Sequence, residues 1–321
     1  MFFSTHTIYG NQLIQGILLT QAQLVSSSRK DEGETKEIGD PVLDLCFDIS
    51  NRLPLCFDEK AAAVKYPVEY TNSMNTVLRQ ELIRFNRLLT FIKESLNDTR
   101  RAIIGQLAMI PELEKIHKAM SIGAMPEAWA KKSYPSLKPL GSYINDFIAR
   151  LNFFQRWLDE GEPTVYWLGG FYFTQSFLTG VLQNHSRKNH LQIDHLHMKF
   201  DVTDFELEVQ EQPEIGVYLK GIFLEGARWN RTEKKLDEAW PKILFDTLPV
   251  VTMTPMMKSL ELLDEKESNY NCPMYRTTER RGVLATTGHS SNFVMFIQLN
   301  TDKSSNHWLN RSTASVLSLN H

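Results

Sequence analysis

Four histidines crowd one stretch of the sequence, at His185, His190, His195 and His197. Imidazole is the commonest side-chain ligand for a metal, and zinc needs three or four converging donors, usually with cysteine or carboxylate help. The thiols are scattered at Cys46, Cys56 and Cys272. His195 and His197 share the polar face of an alternating run, whereas His185 and His190 fall at a helix end and in a loop. This reads as surface histidines, and the cysteines read as small buried apolar residues. His289-Ser290 sets a base beside a hydroxyl, but neighbours in sequence are not a triad and no oxyanion turn accompanies them. No G-x-x-x-x-G-K-[ST] is present to cradle nucleotide phosphates. Nor is there a G-x-S-x-G, H-E-x-x-H or C-x-x-C, or a G-x-G-x-x-G after a strand. Gly169-Gly170 is too short for a phosphate cradle and sits among aromatics, which points to close backbone packing or a turn. Arg280-Arg281 beside Glu279 reads as a charge-paired turn. No residue is assigned a catalytic, cofactor-binding or metal-ligating role.

The elements that would position such residues differ in character from one end to the other. Leu13, Ile14, Ile17, Leu18, Leu24 and Val25 predict an amphipathic helix over residues 11–25, followed by a polar linker from Ser26 to Glu34. A second helical segment is expected over 41–57. Leu78, Leu82, Phe85, Leu89, Ile92 and Leu96 are spaced four, three, four, three, four, which sets one apolar stripe on a long helix. Glu81, Arg84 and Arg87 are expected on its other faces. The stripe reads as the core of a bundle; the alternative is a partner surface on a stand-alone interaction scaffold. A further helical period runs through Ile103, Ile104, Leu107, Ile110, Leu113, Ile116 and Met120, kinked or split at Pro111. Another covers Leu140 to Leu158, and Thr174 to Gln183 suits one more. The uncharged run Pro163–Ser186 is broken by Gly169-Gly170, Gln175, Gln183 and Asn184, so it reads as a buried turn plus helix and not as a membrane span.

After about residue 190 the period becomes two. Leu196, Met198, Phe200 and Val202 alternate with His197, Lys199, Asp201 and Thr203, the pattern of a strand with one buried face. Strand-like runs follow at 217–224, 248–253, 274–277 and 293–299. Trp240-Pro241-Lys242 and Asn271-Cys272-Pro273 read as breaks between them. The expected class is α+β: a helical bundle followed by a small β-barrel or sandwich of about six strands.

Composition excludes several functions. With 38 acidic and 35 basic residues the net charge is -3, without the excess of cations that a nucleic-acid binder needs. Three cysteines in 321 residues make no disulfide framework, and Met1-Phe2-Phe3-Ser4-Thr5-His6 does not read as a secretory signal. Eighteen Phe, ten Tyr and six Trp argue for packed cores. Trp129, Tyr134, Trp157, Trp167, Phe171, Trp229 and Trp308 are the expected anchors.

Several longer motifs, in fixed order, carry a resemblance. They include Tyr66-Pro67-Val68, Ser73-Met74-Asn75-Thr76-Val77-Leu78, Ser133-Tyr134-Pro135-Ser136-Leu137-Lys138-Pro139-Leu140-Gly141-Ser142-Tyr143 and Trp167-Leu168 with Gly170-Phe171. Phe223-Leu224-Glu225-Gly226-Ala227-Arg228-Trp229, Thr286-Thr287-Gly288-His289-Ser290 and His307-Trp308 complete them. Over roughly residues 64–310 the sequence resembles the C-terminal region of dynein heavy chains, in wording closest to the axonemal (ciliary) ones. The polar ending Asn310–Ser315 departs from the more apolar finish of that region.

The resemblance implies an organisation and a role. Residues 1–63 would close the last AAA+ module, 64–190 would form the helical part of the C-terminal domain, and 191–321 its β-barrel part. The domain would be non-catalytic, packed on the AAA+ ring of its own heavy chain, and would modulate ATP-driven microtubule-based movement in the ciliary axoneme. ATP and Mg would be held by earlier modules, with no cofactor in these 321 residues. Other axonemal dynein subunits would be neighbours, the microtubule would be met only indirectly, and neither nucleic acid nor membrane would be a partner. An enzyme with an unrecognised site near His289 or His195 is the competing class, expected to show a deep pocket with convergent titratable groups.

Overall fold

The computed structural model describes residues 40–205, 209, 211–258, 269–280 and 291–320. The helix expected over 11–25, the linker at 26–34 and the motif Thr286–Ser290 lie outside these residues. Six helices come first: α1 (Pro41–Arg52), α2 (Glu59–Lys65), α3 (Ser73–Ile103), α4 (Pro111–Ser121), the single turn α5 (Glu127–Ala130) and α6 (Leu140–Glu160). Then come β1 (Val165–Trp167), α7 (Thr174–Lys188), β2 (Leu196–Val202), β3 (Val217–Lys220), β4 (Phe223–Glu225) and β5 (Arg228–Asn230). They are followed by β6 (Lys235–Asp237), β7 (Phe245–Thr247), β8 (Val251–Met257), β9 (Asn269–Tyr275), β10 (Phe293–Asn300), α8 (Ser305–Asn310) and β11 (Ala314–Val316). Helices precede strands, so the class is α+β, as the change of period predicts.

The protein divides into two compact units. The first holds residues 40–57 and Ile83–Phe153; the second holds Asp58–Leu82 and Phe154–Leu319. In the first, Asp40 caps α1 by accepting from the Val42 N–H at 2.9 Å, and Pro41 occupies the first turn, where no N–H is needed. The expected kink at Pro111 is a complete break: α3 ends at Ile103 and Pro111 opens α4. Phe85, Leu89, Ile92 and Leu96 are buried, as are Tyr143, Ile144, Phe147 and Leu151 of α6. Trp129 is fully buried and its indole N–H donates to Ser95 Oγ at 2.8 Å. Asn86 accepts from the Phe57 N–H at 2.8 Å and donates to its carbonyl at 3.0 Å, pinning the segment after α1.

In the second unit the strands form three sheets. One has the order β1-β3-β8-β2, with β1 parallel to β3; the second has the order β10-β9-β11-β4-β7; the third is the β5-β6 hairpin. Among the described residues no ladder joins them, so the expected small closed barrel is replaced by open sheets. Closure needs ladders that run on from strand to strand with a steady stagger. Here β4, β7 and β11 are three residues each, and two prolines sit inside strands. Pro255 lies in β8 where it pairs only with β2, because β3 pairs no further than Met253. Pro273, expected to mark a break, lies inside β9 opposite Phe296; the parallel pairing with β11 begins one residue later, at Met274. The missing N–H of Pro273 is tolerated at that margin. The ending that looked too polar for a strand is buried β11, with Ser315 donating its hydroxyl to the Pro273 carbonyl at 3.3 Å.

Three features of this unit were hidden in the sequence: β1, the β5-β6 hairpin and β11, each only three residues per strand. Alternation over three residues carries no usable period. The run Pro163–Ser186 becomes β1, a 3-10 turn at Leu168–Gly170 and α7. No helix among the described residues is long and apolar enough to cross a membrane. Gly169 and Gly170 meet a packing need: a Cβ at Gly169 would lie 2.4 Å from the Leu317 carbonyl oxygen, and one at Gly170 would lie 2.7 Å from the Trp167 ring. That motif therefore packs an indole and does not hold a ligand.

Candidate functional site

The histidines do not converge. His185 lies in the last turn of α7, where burial and then Lys188 hold its imidazole below the ordinary value. His190 is exposed with φ 52°, and His195 sits in a 3-10 turn before β2, not on the strand. Of the four, only His197 belongs to β2. Among the described residues no three His, Cys, Asp or Glu side chains are grouped to hold a metal. Cys46 and Cys272 are buried, and burial pushes each thiol up to about 12. Cys56 is exposed, against expectation. His289 and Arg281 lie outside the described residues. Arg280 pairs with Glu225 at 2.7 Å and not with its neighbour Glu279.

The charged groups that matter to the structure were misread or missed. Glu81, expected on a solvated face, is fully buried. It stands four residues after Val77 and four before Phe85, on the apolar stripe itself. Its carboxylate accepts from the backbone N–H of Tyr172 and, at 3.2 Å, of Phe173, the residues that lead into α7. Helix α7 has no side-chain cap of its own, so Glu81 supplies negative charge where the helix dipole is positive. Arg276 stands 5.8 Å over the Phe173 ring; burial lowers its guanidinium, and the Glu81 charge opposes that shift.

In the first unit Arg150 plays the corresponding part. Its position continues the period Tyr143, Phe147, Phe154 and it is 2% exposed. Arg150 Nε donates to Asp146 Oδ2 at 2.7 Å, and the Tyr134 hydroxyl donates to the same oxygen at 2.8 Å. The guanidinium lies 3.8 Å over the Tyr134 ring, which stacks on Tyr143 at 5.7 Å. Burial disfavours the charged guanidinium, yet Asp146 prevails and holds it above its ordinary value; burial and Asp146 push the Tyr134 phenol well up. The signal available in sequence was a charged residue at a position reserved for apolar ones.

The remaining anchors are packed. Phe154, Trp157, Tyr166, Phe171 and Phe177 form one aromatic cluster, with Phe171 and Phe177 centroids 4.5 Å apart. Trp229 and Trp308 are buried, and Trp308 donates to Thr301 Oγ1 at 2.8 Å. Trp167 is half-buried, seated on the glycine pair. The stripe Leu78–Leu96 is at most 1% exposed at its six positions, so it is core and not an available partner surface. What the geometry provides is a set of fixed buried charges and aromatic packing.

The comparisons with known proteins point the same way. The family model for the C-terminal domain of the dynein heavy chain matches residues 7–317. Dynein axonemal heavy chain 3 of Mus musculus is 50% identical over 311 residues, covering 97% of this protein and 7% of that one. Dynein axonemal heavy chain 12 of Homo sapiens is 47% identical over 307 residues, 96% of this protein and 10% of that one. Dynein axonemal heavy chain 1 of Rattus norvegicus is 40% identical over 300 residues, 93% and 6% respectively. The 321 residues thus span a tenth or less of the length of these curated relatives. They belong to the family of C-terminal domains of dynein heavy chains.

Proposed function

We propose that the protein is the non-catalytic C-terminal domain of an axonemal dynein heavy chain. It packs on the AAA+ ring of that heavy chain and modulates ATP-driven, microtubule-based movement in the ciliary axoneme. Residues 1–63 close the last AAA+ module, 64–190 form the helical part and 191–321 the β part. Nucleotide and Mg are held elsewhere in the heavy chain, other axonemal dynein subunits are neighbours, and the microtubule is met indirectly. The observation that carries this reading is the use of the buried charges. Glu81 and the Arg150–Asp146 pair are committed to backbone amides and to each other, and so brace helices instead of lining a reaction site. A brace transmits a change of ring state only through contacts that differ between states. Binding of a nucleotide to a folded protein raises its melting temperature. Saturating MgATP is therefore expected to leave the melting temperature of the 321-residue protein unchanged. A rise that saturates with nucleotide would overturn the non-catalytic reading.

A further inference from the structure

The connection between α3 and α4 is built against its own pattern. Ile104, Leu107 and Ile110 continue a helical period into Leu113, Ile116 and Met120, which reads as one buried face. Only the second half is buried: Leu113, Ile116 and Met120 are 6% exposed or less, while Ile104, Leu107, Met109 and Ile110 are 49%, 36%, 43% and 48% exposed. The cause is local. Gly105 takes φ 76°, and the N–H groups of Gln106 and Leu107 both donate to the Arg101 carbonyl, at 2.8 and 3.2 Å. This closes α3 and breaks the period before Pro111 restarts it. The Ile110 N–H donates to the Ala108 carbonyl at 3.0 Å, so the connection is held by its own backbone. Single exposed apolar residues are ordinary, but four within seven residues of a surface connection mark a place that is covered in the working protein.

We propose that residues 104–110 dock on an aliphatic surface of the same heavy chain, in the part that precedes this domain. The inference rests on the ring-packing reading and adds where the domain is held. Two observations select that occupant. The relatives extend far beyond the matched segment, which covers 6–10% of them and is their C-terminal domain, so nearly all the heavy chain precedes it. A tethered partner acts at high effective concentration and needs only a small patch. A free partner or a second copy needs roughly 1,200–2,000 Å² of buried surface, far more than four half-exposed aliphatic side chains supply. The flanks define the complement: Arg100 and Arg101 end α3, and Glu112 and Glu114 begin α4. The docking strip is aliphatic, with acidic groups at one border and basic groups at the other.

The test is a photo-crosslinking amino acid at Ile104 in the intact heavy chain, with adducts mapped by mass spectrometry. The expected adduct lies in the same polypeptide, N-terminal to residue 1 of this domain. Leu107→Glu with Met109→Glu is expected to reduce it by on the order of a hundredfold. Both positions are surface sites whose substitution leaves folding intact, checked by an unchanged melting temperature. An adduct on another polypeptide, on a second copy, within residues 1–39, or none at all overturns the proposal. Those results leave the ring-packing reading standing if removing the domain still alters motility; unchanged motility sinks that reading whatever the adduct.

Discussion

The two units solve one problem, a charge inside a core, over different sequence distances. In the first, Asp146 and Arg150 lie four residues apart on α6, so the pair is aligned as soon as that helix forms. In the second, Glu81 meets the amides of Tyr172 and Phe173, the first of them 91 residues away, so the contact forms only when α3 and the entry to α7 have been brought together. The local pair organises one helix and the rings stacked on it. The distant one fixes where a helix begins. Both use charge for placement, but only the distant contact joins segments far apart in sequence.

The largest expected effect bears on the core of the first unit, around its local pair. Phe85→Asp removes a fully buried ring and buries a carboxylate in its place. It should cost more than the about 3–5 kcal/mol of a Phe→Ala change and leave the protein unfolded by circular dichroism. A folded variant that merely loses self-association would revive the scaffold reading. Next is Asp146→Ala, which strands a guanidinium 3% exposed. Chemical denaturation should show a loss of about 3–5 kcal/mol, while replacing both partners with apolar residues of similar volume should restore most of it. Glu81→Ala leaves two amides without their acceptor, for a loss of about 2–4 kcal/mol. Glu81→Gln keeps an acceptor and should lose clearly less, with hydrogen-exchange protection at the start of α7 falling in both. If Glu81→Ala costs no more than a surface substitution, the contrast between local and distant charges fails. The smallest effect leaves stability untouched: at pH 8 a thiol reagent should modify Cys56 alone. Cys46 and Cys272, raised to about 12 by burial, should react only on unfolding.

Much of the architecture was legible because it follows long periods. The stripe from Leu78 to Leu96 predicts α3, and the alternation from Leu196 to Val202 is β2 residue for residue. What escaped was short or non-local. Strands of three residues carry no period, and Pro273 reads as a break until the partner strand is known to begin one residue later. Arg150 and Glu81 read as solvated because charge is usually outside; only their place on an apolar period said otherwise. Cys56 stayed exposed because it lies in the segment after α1 that Asn86 holds through the neighbouring Phe57 backbone. The motif at Gly169-Gly170 was legible as packing but not as the seat of one particular indole.

The central claim is that this domain is a mechanical part of the motor and not a reaction centre. It is tested most directly by measuring microtubule-gliding velocity and microtubule-stimulated ATPase of the heavy chain with and without residues 191–321. The account predicts that removing them changes velocity or the coupling of ATPase to movement while nucleotide hydrolysis itself persists. Identical velocity and identical ATPase after the deletion would contradict it.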